Sequence, residues 1–534
     1  MLPSKNIFAA ISLTAVIVVC GGALWHFANT TALPTYNLPD TKYGAFLAAQ
    51  HAVYINDFNA AADFSKQIPN ADAVIGPVQN VRALSAFLSG NTLEFAKDFA
   101  QEKSVAARLI YDANLLDAND WAALYARHKN DDSAATAALR IWPAAAIGKT
   151  NEALKILDKL QTSESQKAFI RGQIYAESGK TADAAAQFAK VPTEFLNIND
   201  YLYLMSFYEK AGNSVAANAL KSDFTTRPGG MFILALPETR GADFSGYKNA
   251  LAFSLIQTVS HSPAMAYSDL ALLLLRFAES AGGENDALNY YLGQYFWNNG
   301  GDYNKYFDKI DPKSPFYPFA VMKIAEKTGK IAELERIVRA NPLFVPAINK
   351  LVAKNMQNGR EKDAIRVLDR ALRNENLGSY GRAFFLKTKA QAYFTAGDAA
   401  AAQKYLRESA DILPKDASIL GLQARIWAAR GTDLDSAYEY AIALIKKYPA
   451  EIENWDTLAM VVQAKEGNSE ALEILERVGR VAESCSVLFL HLGDIYAARG
   501  NSKLALDAYS RAIYLSDDGL VIKPELEKKI RKLK

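Results

Sequence analysis

Apolar residues recur three and four apart along most of the chain, and they fall into paired segments separated by a glycine and a short polar break. Nearest the C-terminus the pattern reads Phe489-x2-Leu492-Gly493-x2-Tyr496-x3-Gly500-x4-Ala505-x3-Tyr509-x2-Ala512. It predicts two antiparallel helices whose closest approach is made by the small residues Gly493 and Ala505, with Leu492, Tyr496 and Tyr509 filling the space beside them. Ala512 leaves room for a neighbouring hairpin. The same order of sizes recurs upstream as Trp455-x2-Leu458-Ala459-x2-Val462 with Ala471 and Leu475, as Ala424-x2-Trp427-x3-Gly431 with Ala437 and Pro449, and as Ala390-x2-Tyr393-x3-Gly397 with Ala402 and Pro414. Pro449 and Pro414 mark the ends of second helices. Weaker copies comprise Leu351, Gly359, Ala364, Leu368 and Ala371; Tyr201, Leu204, Tyr208, Gly212 and Ala217; and Gly172, Tyr175, Gly179, Ala184 and Phe188.

Trp455 and Phe489 occupy the same place in successive copies, which sets a period of about 34 residues. With the Trp-Leu-Gly-Tyr-Ala-Phe-Ala-Pro signature surviving in the residues just quoted, the chain resembles the tetratricopeptide repeat family. The resemblance is carried from Pro346 to Ser516 and from Ala144 to Phe224. Between Met231 and Pro318 it lapses, apart from Leu292-Gly293-x2-Phe296 followed by Gly300, and that stretch reads as divergent helical hairpins. The fold implied is all-α: a right-handed superhelical solenoid of helix-turn-helix repeats behind an N-terminal transmembrane helix. Expected segments are a membrane anchor or signal over 1–32, degenerate repeats over 33–230, divergent hairpins over 231–318, repeats over 319–518 and a basic capping helix over 519–534.

Family resemblance also implies a ligand groove lined by first-helix residues that face away from the neighbouring second helix. In this sequence these are Asn349, Ala353, Met356, Lys387, Gln391, Phe394, Arg425, Asp456, Met460, Leu490 and Asp494. Their mixed charge and apolar members suit an amphipathic or extended peptide. Members of the family that clamp a C-terminal carboxylate place Lys, Asn and Arg at set groove positions; Lys387 matches, but Glu453 and Thr457 stand where basic residues would be needed, which rejects that clamp.

Composition agrees with an extended helical array. A chain of 534 residues, half of them hydrophobic, suits a solenoid that grows by adding repeats, and alanine runs such as Ala60 to Ala62, Ala184 to Ala186 and Ala399 to Ala402 suit closely packed helices. The formal net charge is only +2, from 60 basic and 58 acidic residues, so no global field favours nucleic acid. The tail from Lys523 to Lys534 is locally basic, with Leu526, Ile530 and Leu533 at helical spacing; it reads as a solvated cap over the last repeat or as a membrane-surface helix.

Ile7 to Trp25 is uncharged and largely apolar, long enough as a helix to cross about 28 Å of hydrocarbon. Lys5 and the amino group precede it, and no fixed charge follows until Asp40, a bias that places the repeats outside the cytoplasm. The expectation is a single-pass protein of the inner membrane with its repeats facing the periplasm. Length favours an uncleaved anchor, while Thr30-Thr31-Ala32 offers a small-residue cleavage site. Val19 before Cys20 argues against lipidation, because lipoproteins resemble one another in carrying Gly or Ala there. With only Cys20 and Cys485 present, packing rather than disulfides must hold the array.

Catalytic chemistry is not assembled by the sequence. His26, His51, His128, His261 and His491 have no metal-ligand spacing, and neither a phosphate loop, a dinucleotide fingerprint nor a GxSxG elbow occurs. No cofactor, metal, nucleic acid or small-molecule substrate is expected. Tyr290, Tyr291, Tyr295, Phe296, Trp297, Tyr303, Tyr306 and Phe307 form the densest aromatic cluster, either a binding patch or the core of two imperfect hairpins. The function implied is a non-catalytic, membrane-tethered scaffold that binds protein or peptide partners in an envelope assembly or secretion process. The alternative is a helical-solenoid enzyme of the envelope, such as a lytic transglycosylase-like protein, which would need a buried Glu in a cleft.

Overall fold

The structure is a computed structural model, and it describes residues 42–55, 57–68, 81, 82, 84, 85 and 105–534, except 132, 135, 228, 236–243, 263–267, 376, 415 and 483. The apolar run Ile7 to Trp25 lies outside the described residues. Among the described residues, no helix is long and apolar enough to cross a membrane, and every regular element is helical.

The chain divides into two compact units, Met1–Ser89 and Gly90–Lys534. In the first, helices Lys42–Tyr54 and Phe58–Lys66 form a hairpin. Asp57 caps the second of them, its carboxylate accepting from the Ala60 amide at 3.1 Å. Ala49, Ala52, Ala61 and Ala62 are buried, so the alanine run does bring two helices close.

The second unit is a succession of helical hairpins. At Gly212-Asn213, Gly397-Asp398 and Gly500-Asn501 the turn is local chemistry: a glycine in the left-handed region ends the first helix, and the next residue, Asp or Asn, caps the second. Gly397 (φ 82°) is followed by Asp398, which accepts from the Ala401 amide at 2.8 Å, and Gly500 (φ 75°) by Asn501, which accepts from the Leu504 amide. Second helices end at Ile412 and Lys447, just before Pro414 and Pro449.

Within a hairpin, a small residue of the first helix meets a large one of the second. A Cβ added at Gly493 would lie 2.5 Å from the Tyr509 ring, and one at Gly172 would lie 2.4 Å from the Phe188 ring. Gly293 stands in the same relation to Phe307, at 2.3 Å. The fragment at Leu292-Gly293 therefore belongs to a hairpin of the same kind, Asp286–Asn298 against the single turn Asn304–Phe307. The aromatic cluster there is core: Phe296 stacks on Tyr306 with centroids 5.1 Å apart, and Tyr295, Phe296, Tyr306 and Phe307 are buried. The Trp297 indole, half-buried, donates to the Lys323 carbonyl at 2.9 Å.

Helices Tyr247–Ser260 and Asp269–Gly282 leave the linear stack. Tyr247–Ser260 lies across the first helices of three earlier hairpins, Ala138–Ala146, Glu164–Glu177 and Ile198–Lys210. The Trp142 indole donates to Ser254 Oγ at 2.7 Å, Phe253 stacks on Phe169 at 5.9 Å, and Gln257 Nε2 donates to Asp200 Oδ1 at 2.8 Å. Asp269–Gly282 packs on Val105–Asp117. Through Phe232, which meets Phe319 and Phe344, one hydrophobic cluster continues from Ala168 to Ala392.

At the C-terminus, Lys523–Leu533 buries Leu526 and lays Ile530 and Leu533 against the last repeat, so its apolar side is occupied by the chain itself. Replacing Gly493 with Leu is expected to overpack the Tyr509 contact and lower stability by about 1–3 kcal/mol. Urea unfolding of the variant, with unchanged midpoint, would count against this crossing as a fixed point of the fold.

Candidate partner-binding channel

The first helices of the five hairpins between Val345 and Tyr514 present their residues in sequence, but the structure treats the eleven groove positions in three ways. Asn349, Ala353, Met356, Lys387 and Gln391 line one cavity of about 410 Å³. Its far wall is Asp518, Gly519 and Leu520, from the segment that follows the last repeat.

That far wall is bonded to the near one. Lys354 Nζ lies 2.8 Å from Asp517 Oδ1, and Gln357 Nε2 donates to Ser516 Oγ at 3.0 Å and to Asp517 Oδ1 at 2.9 Å. Hydrogen bonds from Lys354 and Gln357 hold the Asp517 carboxyl below its ordinary value. Gly519 (φ 76°) comes so near the Val345–Gln357 helix that a Cβ would sit 2.4 Å from Ala353 Cα. Only glycine supplies both that approach and that backbone. Asp518 is held in turn by Ser486, whose hydroxyl donates to it at 2.6 Å.

Lys387 points its ammonium to Ser418 Oγ at 2.6 Å, and burial lowers its pKa, with nearby Asp416 opposing the shift. Burial works to raise the Asp416 carboxyl, but hydrogen bonds from Ser418 and the Lys387 charge outweigh it and leave it below its ordinary value.

A second group, Phe394, Arg425 and Asp456, forms a row across successive first helices and ends at His491. The Arg425 guanidinium lies 5.8 Å from the Phe394 ring centroid and donates to Asp456 Oδ2 at 3.3 Å, while His491 Nδ1 is 2.7 Å from Asp456 Oδ1. Asp456 is fully buried and Arg425 nearly so. Burial pushes the Asp456 carboxyl up, yet His491 and Arg425 more than offset it, so its pKa lies below the ordinary 3.8. In this arrangement the row ties repeats together and offers little to a ligand. Beside it, Cys485 is buried with φ 119° and its thiol is pushed up to about 12 by burial and by Asp456, which leaves it an unreactive packing residue.

The third group lies against other parts of the array. Met460 packs with Ala428, Trp427 and Tyr440, and Leu490 joins the cluster of the last two hairpins. Asp494 accepts from the Tyr509 hydroxyl at 2.6 Å and from Lys529 Nζ at 2.6 Å, which ties the last hairpin to the terminal helix. Sequence reasoning missed Lys354, Gln357, Ser516, Asp517 and Gly519. The pair Asp518-Gly519 signals a turn, but nothing in the sequence reports that Asp517 beside it meets Lys354, 163 residues upstream.

The first-helix surface of the earlier hairpins, Ala138 to Thr225, is covered by the helix Tyr247–Ser260, with a cavity of about 300 Å³ left beside Trp142, Ser254 and His261. Beneath that helix Asp200 is fully buried, completes a capping box with Asn197 and lies 2.6 Å from His261 Nε2. Among the described residues, no group of three or more His, Cys, Asp or Glu gathers as a metal site would require.

No family model and no curated protein matches the chain. Solved structures that resemble it are the APC/C hetero-tetramer Cut9-Hcn1, at 13% identity over 92% of this chain and 96% of that one with a TM-score of 0.34; a tetratricopeptide repeat protein from Parabacteroides merdae, at 14% over 54% and 99% with a TM-score of 0.30; and a human IFIT1 dimer with PPP-AAAA, at 14% over 88% and 95% with a TM-score of 0.31. Superpositions this loose carry no functional argument; the repeat assignment stands on the turn chemistry and the small-to-large hairpin contact. The hairpins are tetratricopeptide-like in their small-to-large contacts. They differ from an open array in that both stretches of first-helix surface face other parts of the same chain.

Because the Asp456 pKa is lowered in the folded state, the stability it contributes is complete above the ordinary carboxyl value and is lost as pH falls through the lower folded value. Asp456→Asn, which leaves Arg425 buried without a counter-charge, is expected to lose about 3 kcal/mol or more at pH 7. Denaturant titrations should show the gap to wild type narrowing as pH drops below 3.8; a gap independent of pH would remove the ionic explanation.

Proposed function

We propose that the protein is a non-catalytic scaffold whose C-terminal repeats bind an extended peptide segment of a partner protein in the channel between Asn349 and Gln391. The observation that carries this reading is the cavity of about 410 Å³ in which first-helix amides, hydroxyls and one desolvated lysine stand beside the apolar Val352, Met356, Phe384 and Leu422. That mixture suits backbone groups and alternating side chains of an extended chain. The Lys354–Asp517 and Gln357–Ser516 contacts close one side of the channel, so a long segment enters when they part and a short one threads through.

In the same proposal, Ile7 to Trp25 tethers the repeats to the inner membrane and places them in the periplasm, where they serve an envelope assembly or secretion process.

A photo-crosslinking residue at Gln391 should trap a protein partner in cells, while the same group at exposed Lys362 should not. Equal labelling from both positions would place the partner elsewhere. For the topology, a reporter active only after export, fused behind Lys534, should give signal; silence alongside a working cytoplasmic reporter would reverse the orientation.

A further inference from the structure

On the other side of the helix that lines the channel is a second cavity, of about 350 Å³, between helices Ile331–Ala340, Val345–Gln357 and Glu361–Leu372. At 100° per residue, Leu351 and Asn355 project away from Asn349, Ala353 and Met356, so one helix serves both cavities from opposite faces. Four guanidinium groups border it, Arg339, Arg360, Arg366 and Arg370, against two carboxylates, Glu335 and Asp363. Asp363 is shared by Arg366 and by Arg360, whose Nε lies 3.4 Å away. Arg339 and Arg370, on different walls, have no ion-pair partner among the described residues.

Asn355 adds a second, independent sign. It is 1% exposed, its Oδ1 accepts from Arg360 Nε at 3.0 Å, and its Nδ2 is buried with no hydrogen-bond partner. A buried donor left without an acceptor is costly, and native structures rarely leave one. Here the orphan donor belongs to a residue that lines a cleft bordered by two unpaired guanidiniums, and an acceptor with several oxygens would serve all three.

We propose that this cleft binds a phosphoryl oxyanion. A carboxylate is planar and is matched by one guanidinium fork; guanidinium donors on two walls of one cleft fit a tetrahedral group with a charge near −2. Arg339 and Arg370 supply the balancing charge, Arg360 holds Asn355 through its Oδ1 while Nδ2 stays unpaired at the wall of the cleft, and Val338, Leu351 and Val367 supply the apolar lining. The phosphoryl group belongs either to a free polyphosphate or to a phosphorylated side chain of a partner.

Calorimetric titration of the full chain separates these, using sodium pyrophosphate, a phosphoserine peptide and the same peptide with Glu in its place, all at ionic strength matched with chloride. Pyrophosphate and the phosphopeptide should each saturate a site, and Arg339→Gln combined with Arg370→Gln should weaken both at least tenfold while Lys362→Gln leaves them unchanged. Tighter binding of the phosphopeptide identifies a protein source, and tighter binding of pyrophosphate a free one. Absence of saturable binding, binding by the double variant equal to wild type, or a Glu peptide that binds as tightly as the phosphopeptide would overturn the proposal. Both arginines are exposed, so the double variant is expected to fold, which circular dichroism checks.

Discussion

How closely two helices of a hairpin approach is set by one small residue facing one large one, and the rest of the array follows from that distance. Where Gly172 meets Phe188, Gly293 meets Phe307 and Gly493 meets Tyr509, the ring occupies the space that a Cβ would need. Other hairpins reach the same end with alanine: Ala390 shares a cluster with Leu406, and Ala459 with Leu475. Close hairpins expose a continuous first-helix surface, and dispersion across that surface rewards whatever covers it. In this protein much of the cover is the chain itself.

The two stretches of first helix are covered in different ways. Over the earlier hairpins the cover is a complete helix, Tyr247–Ser260, whose residues from Ala250 to Gln257 are all buried, fixed at intervals by Trp142, Phe169 and Asp200. Most of that surface is core, with a cavity of about 300 Å³ left beside Trp142, Ser254 and His261. Over the later hairpins the cover is a short segment at one edge, held by a few polar contacts to Lys354 and Gln357, with a cavity left between. The proposal of a partner-binding site rests on the second surface because its cover is thin and its cavity is lined by groups that can exchange hydrogen bonds.

Local rules made much of this legible in the sequence. Gly397-Asp398 and Gly500-Asn501 specify their turns by backbone and capping chemistry alone, and the size order around Gly493 specifies its hairpin. Even the fragment at Leu292-Gly293 marked a true hairpin inside a stretch that otherwise lacks the pattern. Contacts between distant segments left no such trace. Asn349, Lys387 and Gln391 reach the channel as the family resemblance implies, whereas Arg425 and Asp456 occupy equivalent places and face one another, a difference made by the partner on the next helix. Asp494 reads as a groove residue until Lys529 is seen beside it. Tyr247–Ser260 is apolar on nearly all sides, as a helix enclosed by its own chain must be, and periodicity alone could not say what would enclose it.

Joining the first of the five C-terminal hairpins to the segment after the last also alters how they come apart. A linear array has a free end from which it can fray one repeat at a time, since each unit answers only to its neighbours. With Gln357 and Lys354 bonded to Ser516 and Asp517, the outermost hairpin answers to the first as well. Releasing either end forfeits the closing contacts along with those to the adjacent repeat, so partial unfolding gains little chain freedom for what it loses. Hairpins that would melt in sequence from the C-terminal end are thereby coupled to the hairpin that begins at Val345.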